Sequence, residues 1–302
     1  MIAGLIVAAG KTPSGSQLEP LKKIGELPAV QRVVMVLQRA GIERVAVVCA
    51  DEKAEKLTAH MNVVYLPGQE AADTLTGVKI GLLYLLGKCS AAVIAHVDAP
   101  LFSVQTVRAL MAAAGEGEVC QPCHGGKIGQ PVLLRAERFE SVLTWFGESG
   151  LAGAIAAARL RRHVVSVEDE GVLINIHDAQ GRELPLDGYG LSKQHPDIRI
   201  RICREKPFYG PGAHQLLQLT REEGSLREAC RHMGLSYSKG RAIISLMEGQ
   251  LGYPVIKSRK GGRTGGNSVV TPEGEALLRS YTAFLEEAKY GINKLFAKYF
   301  GP

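Results

Sequence analysis

The sequence predicts an α/β protein: a doubly wound, mostly parallel sheet, followed by a winged helix-turn-helix domain that ends in a long helix. Three observations carry that prediction. Short apolar runs alternate with stretches of helical period through the first half of the chain. In the second half, two short capped helical segments are joined by a glycine turn and followed by a basic, glycine-rich loop. The charge divides in the same place: residues 196–302 carry 17 Lys+Arg against 10 Asp+Glu, whereas the remainder holds 19 against 20. A neutral front joined to a basic back suggests a small-molecule domain carrying a polyanion-binding one.

Residues 2–9 are a continuous apolar run closed by Gly10, as in a parallel strand buried on both faces. Residues 30–40 then place Val33, Val34, Leu37 and Ala40 on one helical stripe. Residues 44–49 and 62–66 read as strands, 75–86 as an apolar helix, 91–97 as a fourth strand and 104–114 as its helix. Ligands in such sheets bind beyond the carboxyl ends of the strands, here the loops after Ala9 and Val97. Residues 181–196 lack periodicity and mix Gly, Pro, Ser and Lys, so they read as a linker between domains 1–190 and 196–302.

The alternation in residues 198–202 opens the second domain with a strand. Helices follow at 212–222 and 226–233, the latter capped by Ser225 with Glu228 completing a capping box. Gly234 turns the chain, and Ser236 caps a helix over 237–250 whose apolar face is Ala242, Ile243, Leu246 and Met247. Its exposed start carries Ser238, Lys239 and Arg241, the end that meets base edges when such a helix enters the major groove. Strands at 255–257 and 268–270 flank a loop whose glycines let it follow a phosphate backbone, with Lys257, Arg259, Lys260 and Arg263 supplying charge. A last helix from Thr271-Pro272 through Phe296 carries Leu277, Leu278, Tyr281, Leu285 and Ala288 on one stripe. Its length suits pairing with a second copy, since a dimer reads two half-sites of double-stranded operator DNA.

At 46% hydrophobic and 22% charged residues the chain is of ordinary globular composition, which excludes disordered and fibrous classes. The apolar N-terminus is too short for a membrane span and has no basic leader, so the expectation is a cytoplasmic protein with no membrane partner. Cys120-Gln-Pro-Cys123-His124 matches the c-type haem attachment pattern, but that chemistry needs export. The segment also looks extended where a redox motif would open a helix, so both cysteines read as structural. Gly10-Lys11-Thr12 ends as a P-loop ends, but its leading glycine position is Leu5, which removes that reading.

The second half resembles the DNA-binding domain of molybdate-responsive regulators of the ModE type. The matching stretches are Phe208-Tyr-Gly-Pro-Gly212, Gly224-Ser225-Leu226, Met233-Gly-Leu-Ser-Tyr237, Arg259-Lys-Gly-Gly-Arg-Thr-Gly-Gly266 and Thr271-Pro-Glu-Gly274. The resemblance implies a homodimeric, operator-binding winged helix. It does not extend to an oxyanion-binding domain, so molybdate sensing is not carried over with it.

The first half resembles the nucleotidyltransferases that attach CMP or GMP to the molybdenum cofactor, the MocA and MobA types, and so a nucleotidyltransferase-like, Rossmann-like sheet. The matches are Leu5-Ile-Val-Ala-Ala-Gly10, Val97-Asp98-Ala-Pro100, Gly129-Gln-Pro-Val-Leu133, Gly147-Glu-Ser-Gly150 and Gly171-Val-Leu-Ile-Asn-Ile-His-Asp178. The resemblance implies a nucleotide site at Ala8, Ala9, Gly10 and Asp98, with Mg²⁺ on Asp98 and on Asn175 or His177. Asn175 is the closer match to an oxygen ligand, and His177 is a softer donor. Asp98 also fits a plainer role as the cap of the helix near Val104.

Such enzymes carry an Arg shortly after the Ala-Ala-Gly and a Lys nine residues before the Pro that precedes the next helix. Here those positions are Ser14 and, counting back from Pro28, Glu19. Losing one cation and inverting another weakens a triphosphate site, unless Lys11, Lys22 or Lys23 swings in. The expected function is therefore a DNA-binding transcriptional regulator linked to molybdenum cofactor or molybdate metabolism, with a degenerate transferase domain as sensor of a nucleotide or pterin. The alternative is an active cytidylyl- or guanylyltransferase that also binds DNA.

Overall fold

The computed structural model describes residues 1–12, 15–59, 61–147, 149–176, 194–259 and 267–300. The chain forms two compact units, Met1–Ser192 and Lys193–Pro302. In the first, the elements are β1 (Ile2–Ala8), β2 (Lys23–Ile24), β3 (Leu27–Pro28), α1 (Ala29–Ala40), β4 (Val45–Cys49), α2 (Glu52–Thr58), β5 (Val64–Pro67), α3 (Thr74–Leu85), β6 (Ala91–His96) and α4 (Val104–Ala112). They continue through β7 (Val119–His124), β8 (Lys127–Ile128), β9 (Val132–Arg135), α5 (Phe139–Leu143), α6 (Gly150–Ala157) and β10 (Arg162–Ser166), with a 3-10 turn over Glu170–Leu173.

The main sheet runs β10-β7-β9-β6-β1-β4-β5, with β8 appended to β7. The pairs β6–β1, β1–β4, β4–β5 and β7–β10 are parallel, and β9 is antiparallel to both its neighbours. This agrees with the doubly wound, mostly parallel sheet read from the alternation of runs. The strand order reverses at β1 and β6, so their carboxyl ends border a crevice where the connections leave in opposite directions. Leu5, Ile6 and Val7 of β1 and Val93, Ile94 and Ala95 of β6 are fully buried, because helices cover both faces.

The second unit contains β11 (Ile202–Cys203), β12 (Pro207–Tyr209), α7 (Pro211–Glu223), α8 (Leu226–His232), α9 (Tyr237–Leu251), β13 (Ile256–Arg259), β14 (Asn267–Val270) and α10 (Pro272–Phe300). Pro211 opens α7 at a position where its missing N–H is no loss. Gly224 in left-handed conformation ends α7, and Gly252 ends α9 in the same way. Ser225 accepts the N–H of Glu228, but the Glu228 carboxylate takes Arg231 at 2.8 Å, so the capping box is only half made. Glu248 of α9 binds the backbone N–H groups of Val255 and Ile256, seating β13 against that helix. Ser268 N–H donates to Gly224 O, tying β14 to the turn between α7 and α8.

Three sequence expectations are corrected here. The strand expected over 198–202 shrinks to Ile202–Cys203, paired with β12, because its alternating arginines had no second strand to lie against. The buried side of α9 is Gly240, Ile244 and Met247, while Ala242 is exposed and Leu246 is 43% exposed. The helix is turned by one position relative to the expected stripe, since Gly240 sits against Cys230 of α8. Helix α10 runs on to Phe300, but only Gly274, Leu278 and Tyr281 are buried.

Candidate functional site

The crevice at the reversal of strand order is built by two loops. After β1 the chain turns at Gly10, with φ +93°, where a Cβ would stand 2.3 Å from Asp73 O. No other residue fits so close to that backbone in that conformation. Leu18 N–H returns to Gly10 O at 3.3 Å, and Thr12 and Ser16 exchange further bonds, so the loop closes on itself. Ala8 and Ala9 are buried, and Lys11 is exposed on the loop.

The second wall follows β6. Asp98 is 6% exposed, and its Oδ2 accepts Asn175 Nδ2 at 2.9 Å. Ile176 N–H donates to Asp98 O at 2.7 Å, fastening the later segment to this loop. Lys22 donates to Ile176 O at 3.3 Å and pairs with Glu19 at 3.6 Å. The structure thus gathers Glu19, Lys22, Asp98 and Asn175 from distant parts of the chain. Lys23 is exposed on β2. Ser14 and His177 lie outside the described residues. Helix α4 is capped by Ser103, which accepts Thr106 N–H, so Asp98 is not spent on that helix.

Two supporting groups were not legible in the sequence reading. Arg32 of α1 is buried and donates from Nε to Pro100 O at 3.0 Å, holding the Asp98-Ala-Pro100 loop from behind. Burial pushes its pKa down, with Arg39 adding to that and Asp169 opposing it. A charged residue within the apolar stripe of α1 was the available signal. His96 closes β6, two residues before Asp98. Burial pushes its pKa down and keeps the imidazole neutral, while the Asp98 carboxylate opposes that in smaller measure.

The donor set fits a hard cation shared with a ligand. Mg²⁺ keeps several waters and takes one or two carboxylates plus phosphate oxygens. Asp98 supplies a carboxylate, and the Asn175 amide, turned end for end, adds an oxygen. No cluster of three His, Cys, Asp or Glu side chains that could hold a metal occurs among the described residues, so they form no all-protein cage.

In the second unit, α8 and α9 meet through the turn at Gly234, and Ser236 caps α9 by accepting Lys239 N–H at 3.2 Å. Ser238, Lys239 and Arg241 are all exposed on the first turns of α9. Lys257 is exposed on β13. The Arg259 side chain, Lys260 and Arg263 lie outside the described residues.

The first unit has the strand order, the crevice and the carboxylate of a nucleotide-handling α/β domain. Residues 4–165 match the profile of the MobA-like NTP transferase domain, and the chain belongs to that family. In fold it is similar to a nucleotidyl transferase from Methanothermobacter, at TM-score 0.50 and 16% identity, over 60% of this chain and 94% of that one. Two molybdenum-pterin-binding proteins of Rhodobacter capsulatus are also similar to part of it. MopB is 34% identical over 84 residues, which is 28% of this chain and 30% of MopB. MopA is 32% identical over 75 residues, 25% of this chain and 28% of MopA. The similarity therefore spans less than a third of either relative's length. Among the described residues no helix is long and apolar enough to cross a membrane.

Proposed function

We propose that the protein is a DNA-binding transcriptional regulator tied to molybdenum cofactor or molybdate metabolism, and that its first unit senses a ligand instead of transferring a nucleotide. The observation that carries the sensor reading is Glu19. Its carboxylate stands within the crevice's own charge network, paired with Lys22, whose ammonium also reaches the segment behind Asp98. A triphosphate brought to Asp98 meets an acid where a second cation would help, and Lys22 is already engaged. Asp98 and Asn175 would hold Mg²⁺, which when bound neutralises phosphate oxygens. Arg32 keeps the Asp98 loop in place, and Lys22 supplies the local positive charge.

DNA binding rests on the second unit. A capped helix pair with a glycine turn, an exposed Ser238-Lys239/Arg241 edge on α9 and the β13–β14 hairpin support a winged helix-turn-helix. Dimerisation rests on α10, which runs about 28 Å beyond Tyr281 at 1.5 Å per residue. That stretch exposes Phe284 at 51% and Tyr290 at 64%. A second copy laid along it would cover those rings and set two recognition helices for two half-sites. The second reading, an active cytidylyl- or guanylyltransferase that also binds DNA, is favoured by the retained Asp98–Asn175 pair.

The two separate in one assay. Full-length protein with molybdopterin, Mg²⁺ and CTP or GTP is expected to release pyrophosphate at background level, while Glu19→Lys tightens triphosphate binding about tenfold. Turnover near one per second, about the scale of ordinary enzymes, overturns the sensor reading. No retardation of any duplex at low salt overturns DNA binding.

A further inference from the structure

The main sheet of the first unit ends at β10, and among the described residues no strand pairs with its outer side. In a parallel ladder alternate residues turn both N–H and C=O to the neighbouring strand, and the residues between turn both away. Val119 N–H donates to Arg161 O, and Val167 N–H donates to Cys123 O. Arg161, His163, Val165 and Val167 therefore face β7, in the register that sets His163 beside Cys120 and Val165 beside Pro122. The backbone groups of Arg162, Val164 and Ser166 point outward from the edge.

Proteins usually blunt such an edge with a proline, a bulge or a short strand. The opposite edge follows that rule: β5 has four residues and ends at Pro67. Strand β10 runs five residues without proline or register shift, and Val164 at its centre is 45% exposed. The charge along this edge changes sign from one end to the other. Arg159, Arg161 and Arg162 stand at its start and Glu168 and Glu170 beyond its end, all of them exposed. Two such strands side by side in parallel would set like charges together, whereas antiparallel pairing sets opposite charges together.

We propose that β10 is an interface between two copies of this chain, paired antiparallel so that two first units share one continuous sheet. The two-fold axis passes beside Val165, which places Arg162 opposite Glu168 of the second copy and Val164 opposite Ser166. The outward N–H and C=O groups of Val164 and Ser166 then complete each other's ladder. Arg162 and Glu168 close both ends of the pairing with opposite charge, and the exposed Val164 is covered. This surface is separate from the α10 helix of the second unit, and the pairing stands or falls apart from the function proposed above.

A five-residue edge buries little area, so the association is weak and the test is one that traps it. Full-length protein carrying Val165→Cys, in a Cys203→Ser background that removes an exposed thiol, is oxidised with copper phenanthroline. In the proposed register the two residues 165 form a non-hydrogen-bonded pair with Cα atoms about 4.5 Å apart, within reach of a disulfide. A disulfide-linked dimer is expected on a non-reducing gel, formed about tenfold faster than in the Cys203→Ser parent, whether or not α10 pairs. Adding Arg162→Glu slows the cross-link about tenfold, and Arg162→Glu with Glu168→Arg restores it. Val164→Pro also slows it, because the N–H it removes lies on the outer side and the β7 ladder stays intact. The charge variants alter exposed side chains alone and are expected to keep the parent's Tm, so they decide the question if Val164→Pro fails to fold. Cross-linking no faster than in the parent overturns the pairing. So does a rate indifferent to Arg162→Glu, or one that the double exchange does not restore.

Discussion

At the scale of single residues, Gly240 shows how a close approach reverses an ordinary preference. Glycine inside a helix is normally about 1 kcal/mol worse than alanine. Here a Cβ at 240 would lie 2.2 Å from Cys230 Sγ, the point at which α8 and α9 cross. Overpacking a core position costs about 1–3 kcal/mol, which exceeds the gain in helix propensity. Gly240→Ala is expected to destabilise the second unit in urea denaturation; a stabilised variant would show that the crossing has room to spare. The same reasoning applies to the candidate crevice. Glu19, Lys22, Asp98 and Asn175 are ordinary surface types in the sequence, and only their convergence gives each a consequence for an anionic ligand.

At the scale of elements, the helices start where the sequence places side-chain acceptors. Ser225 and Ser236 both accept the N–H of the third following residue, and Ser103 does the same for α4. Each bond satisfies a donor that the first helical turn leaves open. Ser236→Ala is expected to cost about 1 kcal/mol in chemical denaturation and to fray the start of α9. That is the turn bearing Ser238, Lys239 and Arg241, so operator affinity should fall with it, and hydrogen exchange across 237–241 should rise. Unchanged exchange there would mean that packing of Ile244 and Met247 alone fixes the helix start. Strand β11 teaches the converse: the alternation in 198–202 was clear, but a strand needs a partner, and β12 offers only three residues.

At the scale of the whole molecule, the division of charge predicts how binding responds to salt. Residues 196–302 carry a surplus of seven positive charges, whereas the rest of the chain is near neutrality. Each phosphate neutralised on a duplex adds about 0.9 to the slope of log affinity against log salt. Lys257→Ala, on the exposed side of β13, should lower that slope by about one and weaken all duplexes alike, measured by fluorescence anisotropy from low to physiological salt. Arg241→Ala should instead change the ranking of operators. A Lys257→Ala slope equal to that of the wild type would place the hairpin away from the backbone. Ligand and operator affinities, if coupled, must shift each other by the same factor.

The sequence by itself determined the alternation of strands and helices, the mostly parallel sheet and the loops after Ala9, marked by Gly10, and after Val97, because periodicity and turn chemistry are local. It also located Asp98, whose place at the end of an apolar run is readable without a fold. Strand β10 was not read, and the antiparallel insertion of β9 between β6 and β7 was not foreseen, since pairing joins segments tens of residues apart. The side of α9 that faces inward was misread by one position, because Ala, Ile, Leu and Met satisfy more than one stripe until Cys230 packs against Gly240. Tertiary structure also decided the partners of charge and polarity: Arg32 on Pro100, Asn175 on Asp98, Lys22 between Glu19 and Ile176. Those contacts depend on where the sheet brings separate strand ends, and no local pattern of residues encodes that distance.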